Sequence, residues 1–411
     1  MKEPESHEES RQPLTAEESF DLRSIVMEYD VLTIDTSTIK KLGYRFDSGL
    51  LDQLSQFKNN DTLLIFSDVV VREMEKHITD DISEAREKHK NSLKELRKKS
   101  AMDNASIQKI NDLLDVQLPV DELANNIIES FLDKTDALVI DSVQITSDQL
   151  LNRYFNTKPP FENTSAKKNE FPDAIALLAL EKWGSFNGRK VLAVSEDKGW
   201  VSYGEESEII DVQTDLATAL NIINSFDMSK KINDVLHFAL EDIMNNEQSE
   251  QREELLFEIE GQTNEVDATS IGYSTEATVI SAFSGVTLSY NSVSFQEQKP
   301  SKLKVVNRQD RAITVQIPII ANARAITTFV LLRNVTGYEI TPGAFITSEE
   351  KFEQDASKDF TFPANLLLTL EIDTLRDSSE IAEIEIIDTP ASFDFGDINE
   401  EQRNYTLLHL R

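Results

Sequence analysis

Short apolar runs of strand length alternate with amphipathic stretches through the first half of the chain. Residues 31–35, 63–66, 191–195 and 208–212 are rich in Val, Ile and Leu, which is typical of buried strands. The stretch after the first run has apolar residues at helical spacing, namely Leu50, Leu51, Leu54 and Phe57. Strands that alternate with helices predict parallel βαβ units, so we expect a doubly wound α/β domain over residues 28–225.

Residues 80–160 differ from this alternation, because their composition is helical and their first half carries no strand pattern. We expect them to form a helical insertion within the α/β domain. A basic cluster lies in this segment, and its members are Arg86, Lys88, Lys90, Lys94, Arg97, Lys98 and Lys99. One interpretation is a solvated helix face with i,i+4 ion pairs, such as Glu84 with Lys88 and Glu95 with Lys99. The other is an arm that contacts the phosphates of a nucleic acid beside an active site.

The pattern changes after residue 264, where strand-length segments that alternate or run apolar are separated by Gly, Pro and Asn. The segments are 277–283, 302–306, 312–321, 325–332, 365–372 and 381–387. They predict a β-rich second domain over residues 261–411, a sandwich or a barrel, after a connecting helix over residues 226–260. This domain carries no chemical motif, and we expect it to mediate homo-oligomerisation or contact with a regulatory protein.

Composition restricts the compartment and the chemistry. The chain has 411 residues, 39% of them hydrophobic, and no cysteine, which excludes disulfides, thiolate catalysis and zinc held by cysteine. Residues 1–27 are expected to form an acidic, flexible tail without the apolar run of a signal peptide. No stretch reaches the roughly 20 apolar residues that a membrane-spanning helix requires. We therefore expect a soluble, cytoplasmic protein with no membrane partner.

The charge balance argues against tight, non-specific binding of nucleic acid. The formal net charge is −33, from 41 Lys plus Arg against 74 Asp plus Glu. Such a charge repels phosphate backbones at long range. It does not exclude catalysis on nucleic acid, because bound metal ions reverse the sign of the local potential.

Four acidic residues lie at equivalent places in the predicted α/β domain. Asp35 ends the first strand, Asp197 follows the third, and Glu73 lies in the opening turns of the helix after the second strand. Asp173 lies in the first turn of a helix that Pro172 begins. Because the carboxyl ends of parallel strands meet at one crevice, we expect these side chains to converge. Taken singly, each acid has a simpler explanation as a helix cap, a turn residue or a partner of the helix dipole.

Grouped carboxylates repel one another and raise one another's pKa values, and a hard divalent cation removes that cost. Mg²⁺ or Mn²⁺ takes oxygen ligands and keeps part of its water, which suits a set of carboxylates that includes no His or Cys. Two such ions about 4 Å apart can polarise a phosphodiester and activate a water for in-line attack. The predicted chemistry is metal-assisted hydrolysis of a phosphodiester bond.

Four segments carry a resemblance to a known family, namely residues 32–37 (LTIDTS), 66–74 (FSDVVVREM), 170–176 (EFPDAIA) and 194–200 (VSEDKGW). They resemble the four acidic motifs of the PIN domain family, in the larger branch with a long helical insertion between the second and third motifs. The resemblance covers residues 28–215, and the third and fourth segments are the most specific. One departure is Gly199, where many relatives carry a second Asp; Glu196, on the other side of Asp197, is the alternative acid.

The resemblance implies a three-layer α/β/α fold with a parallel sheet. It also implies a metal-dependent nuclease that acts on single-stranded or structured RNA. By the same resemblance, the metal-binding and catalytic acids are Asp35, Glu73, Asp173 and Asp197.

Five basic residues are candidates for contact with the substrate, namely Lys167, Lys168, Lys94, Arg97 and Lys98. The first two lie just before the third acidic motif, where a solvated turn is the alternative interpretation. The other three belong to the basic cluster. Trp200 can stack on a base, although an aromatic side chain after a strand more often packs in the core.

Three functions are compatible with this sequence. The first is a ribonuclease, in the toxin-like or phage-defence setting of several large relatives. The second is a structure-specific DNA nuclease, because the PIN fold resembles that of flap-type 5′ nucleases. The third is a non-catalytic PIN-like scaffold, which the acidic net charge suits but which has no need of four mutually repelling carboxylates. The resemblance favours the first function, with RNA preferred to DNA as substrate.

Overall fold

The chain divides into two compact units. A computed structural model describes residues 29–58, 60–98, 109, 119–162, 167–226, 228–275, 277–282, 285–296, 299–309, 311–341 and 344–398. The first unit contains the residues up to 38 and those from 59 to 214, and the second contains residues 39–58 and those from 215 onward. The acidic tail expected over residues 1–27 lies outside the described residues.

The first unit is built on a parallel sheet. Its strands are β1 (Val31–Ile34), β2 (Leu63–Ser67), β3 (Leu138–Ile140), β4 (Val191–Val194) and β5 (Ile210–Gln213). Within the described residues their order is β3-β2-β1-β4-β5, and all neighbours are parallel. β1 and β4 are buried along their whole length, which is why their sequences are continuous apolar runs. The predicted α/β domain with a parallel sheet is confirmed.

The strand order reverses between β1 and β4. β2 and β3 follow β1 on one side, whereas β5 follows β4 on the other. In open parallel sheets, the crevice beyond the carboxyl ends of the two strands at this reversal is where ligands bind. The fold therefore points to the ends of β1 and β4 as the place to look for a site.

Helices connect and flank these strands. In the first unit they are α1 (Thr36–Lys41), whose residues from Ile39 on belong to the second unit, α3 (Asp68–Lys98), α4 (Val120–Thr135), α5 (Ser147–Phe155), α6 (Phe171–Asn187) and α7 (Lys198–Glu206). The chain between β1 and β2 also forms α2 (Gly49–Asp52), which belongs to the second unit. α5 begins with a capping box between Thr146 and Gln149. α6 has Pro172 in its first positions and ends at Gly188, whose φ of +64° is the left-handed conformation that glycine adopts without strain.

One strand lies inside the segment that the sequence predicted to be a helical insertion. The described parts of residues 80–160 include the end of α3, the helices α4 and α5, and also β3, which pairs with the edge of β2. β3 is only three residues long, and Leu138 and Val139 are 44% and 40% exposed. A strand this short, at a sheet edge, leaves no alternation or continuous apolar run in the sequence.

The second unit contains a large antiparallel sheet. Its strands and the small pair beside it are β6 (Thr263–Val266), β7 (Thr269–Tyr273), β8 (Thr278–Ala282), β9 (Val286–Phe295), β10 (Lys304–Gln309), β11 (Ala312–Thr341), β12 (Ala344–Asp373), β13 (Ser378–Ile387) and β14 (Ser392–Asp397). In the described part of the chain, the large sheet follows the path β13-β12-β11-β9-β6, with β8 and β10 also on β11. β7 and β14 form a separate parallel pair.

A long hairpin organises this sheet. β11 and β12 each have 30 residues and pair from Ala312 with Glu371 to Thr341 with Ala344. The sequence predicted two strands, at residues 312–321 and 325–332, where the structure has one. The polar interruption, Asn322 to Arg324, continues the strand because Ala323 is fully buried and Arg324 pairs across the strands with Asp359 at 2.8 Å.

The predicted connecting helix over residues 226–260 is wrong in two respects. It is two helices, α9 (Lys230–Asn245) and α10 (Glu250–Ile259), because Asn246 takes an extended conformation and the Ser249 hydroxyl caps the second helix. Both helices also contribute to the hydrophobic core of the second unit instead of bridging to it. Helices therefore cover an open sheet in this unit, and the expected sandwich or barrel is not formed by the described residues.

Two further segments belong to the second unit, in contrast to the linear division expected from the sequence. Residues 53–58 and α8 (Leu216–Phe226) pack on β10. The Gln56 amide donates to the Val306 carbonyl at 2.9 Å, and the Asn224 amide donates to the Val305 carbonyl at 3.2 Å. No helix in the described ranges is long and apolar enough to cross a membrane.

Candidate active site

Asp35 lies at the point where the strand order of the sheet reverses. It directly follows β1, and its backbone N–H donates to the Val194 carbonyl at the end of β4. Its side chain is 4% exposed and accepts hydrogen bonds from the hydroxyls of Ser37 and Ser195, the latter at 2.9 Å. Burial raises the pKa of Asp35; the two serines oppose this rise, and the charge of Asp197 adds to it.

Glu73 reaches the same place from the first turns of α3. The Thr36 hydroxyl donates to Glu73 Oε2 at 3.0 Å, so the residue after Asp35 orients the second carboxylate. Burial raises the pKa of Glu73, the Thr36 hydrogen bond lowers it, and the charge of Asp35 raises it further. This dependence on Asp35 shows that the two carboxylates are close enough to interact.

Asp173 lies in the first turn of α6, as the sequence predicted from Pro172. The indole Nε1–H of Trp200 donates to Asp173 Oδ1 at 2.9 Å. Burial raises the pKa of Asp173 to about 7; the Trp200 hydrogen bond opposes this rise, and the charges of Asp35, Asp197 and Glu73 add to it. Asp173 is therefore the acid on which the charges of the other three converge.

Trp200 cannot stack on a base, because its side chain is fully buried. It acts instead as the hydrogen-bond donor that orients Asp173. A buried indole N–H needs a partner, and an acid nearby in the fold can supply one, so the residue type carried a signal that the sequence interpretation missed.

Ser195 was also missed: its hydroxyl donates to Asp35 and accepts from the Asp197 N–H at 3.0 Å, which links two of the acids.

Asp197 is the N-cap of α7. Its Oδ1 accepts from the backbone N–H groups of Gly199, at 2.7 Å, and Trp200, at 3.3 Å. The charge of Asp197 is among the main influences that raise the pKa values of Asp35 and Asp173, whereas that of Glu196 is not. Of the two acids, Asp197 therefore fits the site better.

The departure at Gly199 has a steric explanation. A Cβ atom at this position would lie 2.8 Å from the Pro160 Cβ, 2.9 Å from the Pro160 carbonyl oxygen and 3.0 Å from Asp197 Oδ1. These distances leave no room for a side chain. An aspartate side chain therefore does not fit at this position, because Pro160 occupies its space.

The four carboxylates lie close enough for their charges to affect one another's pKa values, but they do not form a complete metal-binding site by themselves. Among the described residues, no three His, Asp or Glu side chains are placed to hold a metal ion by themselves. Glu73, Asp173 and Asp197 each have one oxygen that accepts hydrogen bonds and one with no hydrogen-bond partner in the described part of the chain. No Lys or Arg of that part forms an ion pair with any of the four acids.

This donor set fits a hydrated divalent cation. All the donors are carboxylate or hydroxyl oxygens, which hard cations prefer, and a cation such as Mg²⁺ retains several waters instead of requiring a complete protein cage. Buried, mutually repelling carboxylates without a cationic partner are costly, and a divalent cation offsets that cost. The residues that would hold it are Asp35, Glu73, Asp173 and Asp197.

The basic candidates are only partly described. Lys94 lies on α3 with an exposed side chain, and Lys167 and Lys168 lie in the short 3-10 turn just before α6. The side chains of Arg97, Lys98, Lys167 and Lys168 lie outside the described residues. Glu84 and Lys88 form the i,i+4 pair at 2.7 Å that the solvated-face interpretation of the basic cluster requires. Contact between these cations and a substrate stays a prediction.

Comparison with known proteins bears on the first unit. A family model described as a PIN domain matches residues 32–200. No curated protein and no solved structure matches the chain. The matched residues include all four acids, the strands β1 to β4 and the helices α3 to α6. With its parallel sheet and the acids at the reversal of strand order, the region of this chain from residue 32 to residue 200 belongs to the PIN domain family.

Proposed function

We propose that this chain is a divalent-metal-dependent endonuclease that cleaves RNA in preference to DNA. PIN domains are generally nucleases and typically use divalent metal ions, which supplies the reaction class. The observation that carries the proposal is the state of Asp173, a carboxyl group whose pKa is raised to about 7 by burial and by three neighbouring carboxylates. The preference for RNA rests on the resemblance to RNA-cutting relatives.

The protein fixes each carboxylate in a defined orientation. Ser37 and Ser195 hold Asp35, Thr36 holds Glu73, and Trp200 holds Asp173. The backbone at the start of α7 holds Asp197. Such fixed groups do not need to reorganise when charge develops during a reaction.

Glu73, Asp173 and Asp197 would hold Mg²⁺ or Mn²⁺ through the carboxylate oxygens that the protein leaves uncommitted, and Asp35 would join them at the same place. The bound cation supplies polarisation of the phosphodiester and a water of lowered pKa. Without a cation, the same four negative charges would repel the phosphate of the substrate. Binding of cation and binding of substrate should therefore depend on each other.

A non-catalytic scaffold is a poorer explanation of this geometry. Burial of Asp35 and Asp173 and the repulsion between the acids raise pKa values and cost stability. A scaffold has no use for that cost, whereas active sites commonly contain groups with displaced pKa values. A DNA nuclease shares the same acids, and only the assay below separates it from a ribonuclease.

Three further expectations remain proposals that rest on the resemblance and the composition. These are a toxin-like or phage-defence role, a cytoplasmic location, and a part for the second unit in homo-oligomerisation or contact with a regulatory protein. The boundaries of the two predicted domains, at residues 28–225 and 261–411, also stay a proposal for how the chain divides by function.

The test is cleavage of labelled single-stranded RNA and matched DNA in Mg²⁺, Mn²⁺ or EDTA. We expect RNA to be cut with either metal ion and neither strand to be cut in EDTA. Asp173→Asn should abolish cleavage, whereas Asp148→Asn should not, because Asp148 is an exposed acid in the first turn of α5. Absence of cleavage by the wild type in both metals, or full activity of Asp173→Asn, would overturn the proposal.

A further inference from the structure

Four aromatic rings cluster where α5 ends and α6 begins. Tyr154 stacks on Phe171 with ring centroids 5.0 Å apart and an interplanar angle of 26°. Phe161 meets both rings edge-on, at 5.4 Å from Tyr154 and 5.1 Å from Phe171. Phe155 adds its ring to the outside of this cluster, 5.4 Å from Tyr154 and at 74° to it. The three inner rings thus form a packed base for the fourth.

Phe155 is exposed in spite of this packing. Its side chain is 76% exposed, whereas Phe161 is 2% exposed. An exposed phenyl ring forgoes the burial that stabilises aromatic residues, and here the ring is also held from behind by Tyr154. The position therefore presents an apolar aromatic surface to solvent next to the Tyr154 ring.

The segment that carries this ring is anchored along its length. The Arg153 guanidinium donates to the Pro159 carbonyl at 2.6 Å, and the Lys158 N–H donates to the Arg153 carbonyl at 3.0 Å. Beyond it, the Glu162 N–H donates to Glu170 Oε2 at 2.8 Å. These bonds tie the residues after α5 to α5 itself and to the turn before α6. A rigid support of this kind lowers the entropy cost of binding a ligand.

The cluster adjoins the candidate active site on two sides. Phe171 precedes Asp173 by two residues at the start of α6. Pro160 packs on Gly199, whose N–H donates to Asp197 Oδ1. The aromatic residues and two of the four acids are therefore held by the same short stretches of backbone.

A lysine follows the exposed ring closely in the sequence. Lys158 follows Phe155 by three residues, its side chain is exposed, and it forms no ion pair with any residue that the structure describes. An aromatic face next to a cation is the combination by which proteins bind single-stranded nucleic acid, with a base on the ring and a phosphate on the cation.

We propose that Phe155 is a stacking platform for a nucleobase of a single-stranded nucleic acid, with Lys158 contacting a neighbouring phosphate. The inference rests on the proposed nuclease function for its setting and specifies its substrate class. A base within a duplex has both faces covered by its neighbours, so the ring selects unpaired nucleotides.

The test measures binding without cleavage, in the Asp173→Asn background with Mg²⁺, by fluorescence anisotropy of a labelled single-stranded RNA of about 12 nucleotides. Phe155→Ala should weaken binding about 5- to 100-fold, the range expected for one stacked base, and Phe155→Trp should restore it. Phe186→Ala is the matched control, because Phe186 is 89% exposed but lies at the opposite end of α6 from Asp173. This control should bind as the parent does.

A scan with single abasic nucleotides tests stacking directly. The parent protein should lose affinity when one particular base is removed, and Phe155→Ala should be insensitive to that removal. Equal affinity of Phe155→Ala and Phe186→Ala, a flat abasic profile, or no binding of the single strand would overturn the inference. The two proposals can fail separately. Loss of cleavage in Asp173→Asn tests the role of the acids, whereas the abasic scan tests whether Phe155 stacks on a base.

Discussion

Asp173→Asn should make the metal-free protein more stable at pH 8, although it removes a candidate metal ligand. Asn keeps an oxygen that can accept the Trp200 indole N–H, but it carries no charge. Burial, and then the charges of the neighbouring acids, raise the pKa of Asp173 from 3.8 to about 7. The folded protein therefore holds this proton more tightly than the unfolded chain does.

The size and the sign of the effect follow from this pKa. Below about pH 3 the carboxyl group is protonated in both states and costs nothing. As the pH rises to about 7 the unfolded chain ionises first, so the wild type loses stability that the variant keeps. A tenfold change in proton affinity is worth about 1.4 kcal/mol, so the gain of the variant should grow from near zero at pH 3 to about 4 kcal/mol at pH 8. It will be smaller to the extent that the other three acids share the proton.

Tryptophan fluorescence during urea unfolding in EDTA is the suitable assay. The chain has 2 tryptophans, Trp183 on α6 and Trp200 on α7, and both lie in the first unit. Asp148→Asn removes an exposed first-turn acid and should stay within about 0.5 kcal/mol of the wild type at every pH. The reasoning is refuted if Asp173→Asn is no more stable than the wild type at pH 8, or if its gain is the same at pH 4.

Three other predictions concern the same site. Mg²⁺ or Mn²⁺ should raise the urea midpoint of the wild type more than that of Asp173→Asn, which keeps the other three acids; equal shifts would show that Asp173 does not contribute to metal binding. Gly199→Ala should cost about 1 to 3 kcal/mol of unfolding free energy, because its Cβ would lie 2.8 Å from that of Pro160, and an unchanged urea midpoint would contradict this. Ser195→Ala should cost about 1 to 3 kcal/mol and slow RNA cleavage, because the Asp35 carboxylate loses a buried donor; cleavage at the wild-type rate would argue against a role for that hydrogen bond.

The acids of the site could be predicted from the sequence because their positions are tied to strand ends. β1 and β4 are continuous apolar runs, and a carboxylate just after each has to lie near the other once the strands pair in parallel. The hydrogen-bond donors could not be predicted in the same way. Trp200 reaches Asp173 across 27 residues of sequence, and no local pattern relates an indole to an acid on another helix.

The second unit was predicted less completely, because its strand order depends on pairing between residues that are far apart in the sequence. The β11 strand continues through Asn322, which donates to Ser292 on β9 at 3.0 Å, so a polar residue that marks a turn in the sequence is satisfied within the sheet. The apolar stripe at residues 50–57 correctly indicated helical structure. It could not indicate that the stripe packs with β10, about 250 residues away.

Because the second unit takes residues 39–58 from within the sequence of the first, no single cut separates the two units. A fragment that stops at residue 214 would keep Gln53 and Gln56 but lose Asn307 and Val306, their hydrogen-bond partners on β10. It would also expose the apolar side chains of Leu54 and Phe57, which are buried in the full chain. Such a fragment is expected to aggregate, so the PIN region of this chain cannot be isolated by a single cut at residue 214. A fusion of this region to another protein would therefore also have to include the antiparallel sheet of the second unit.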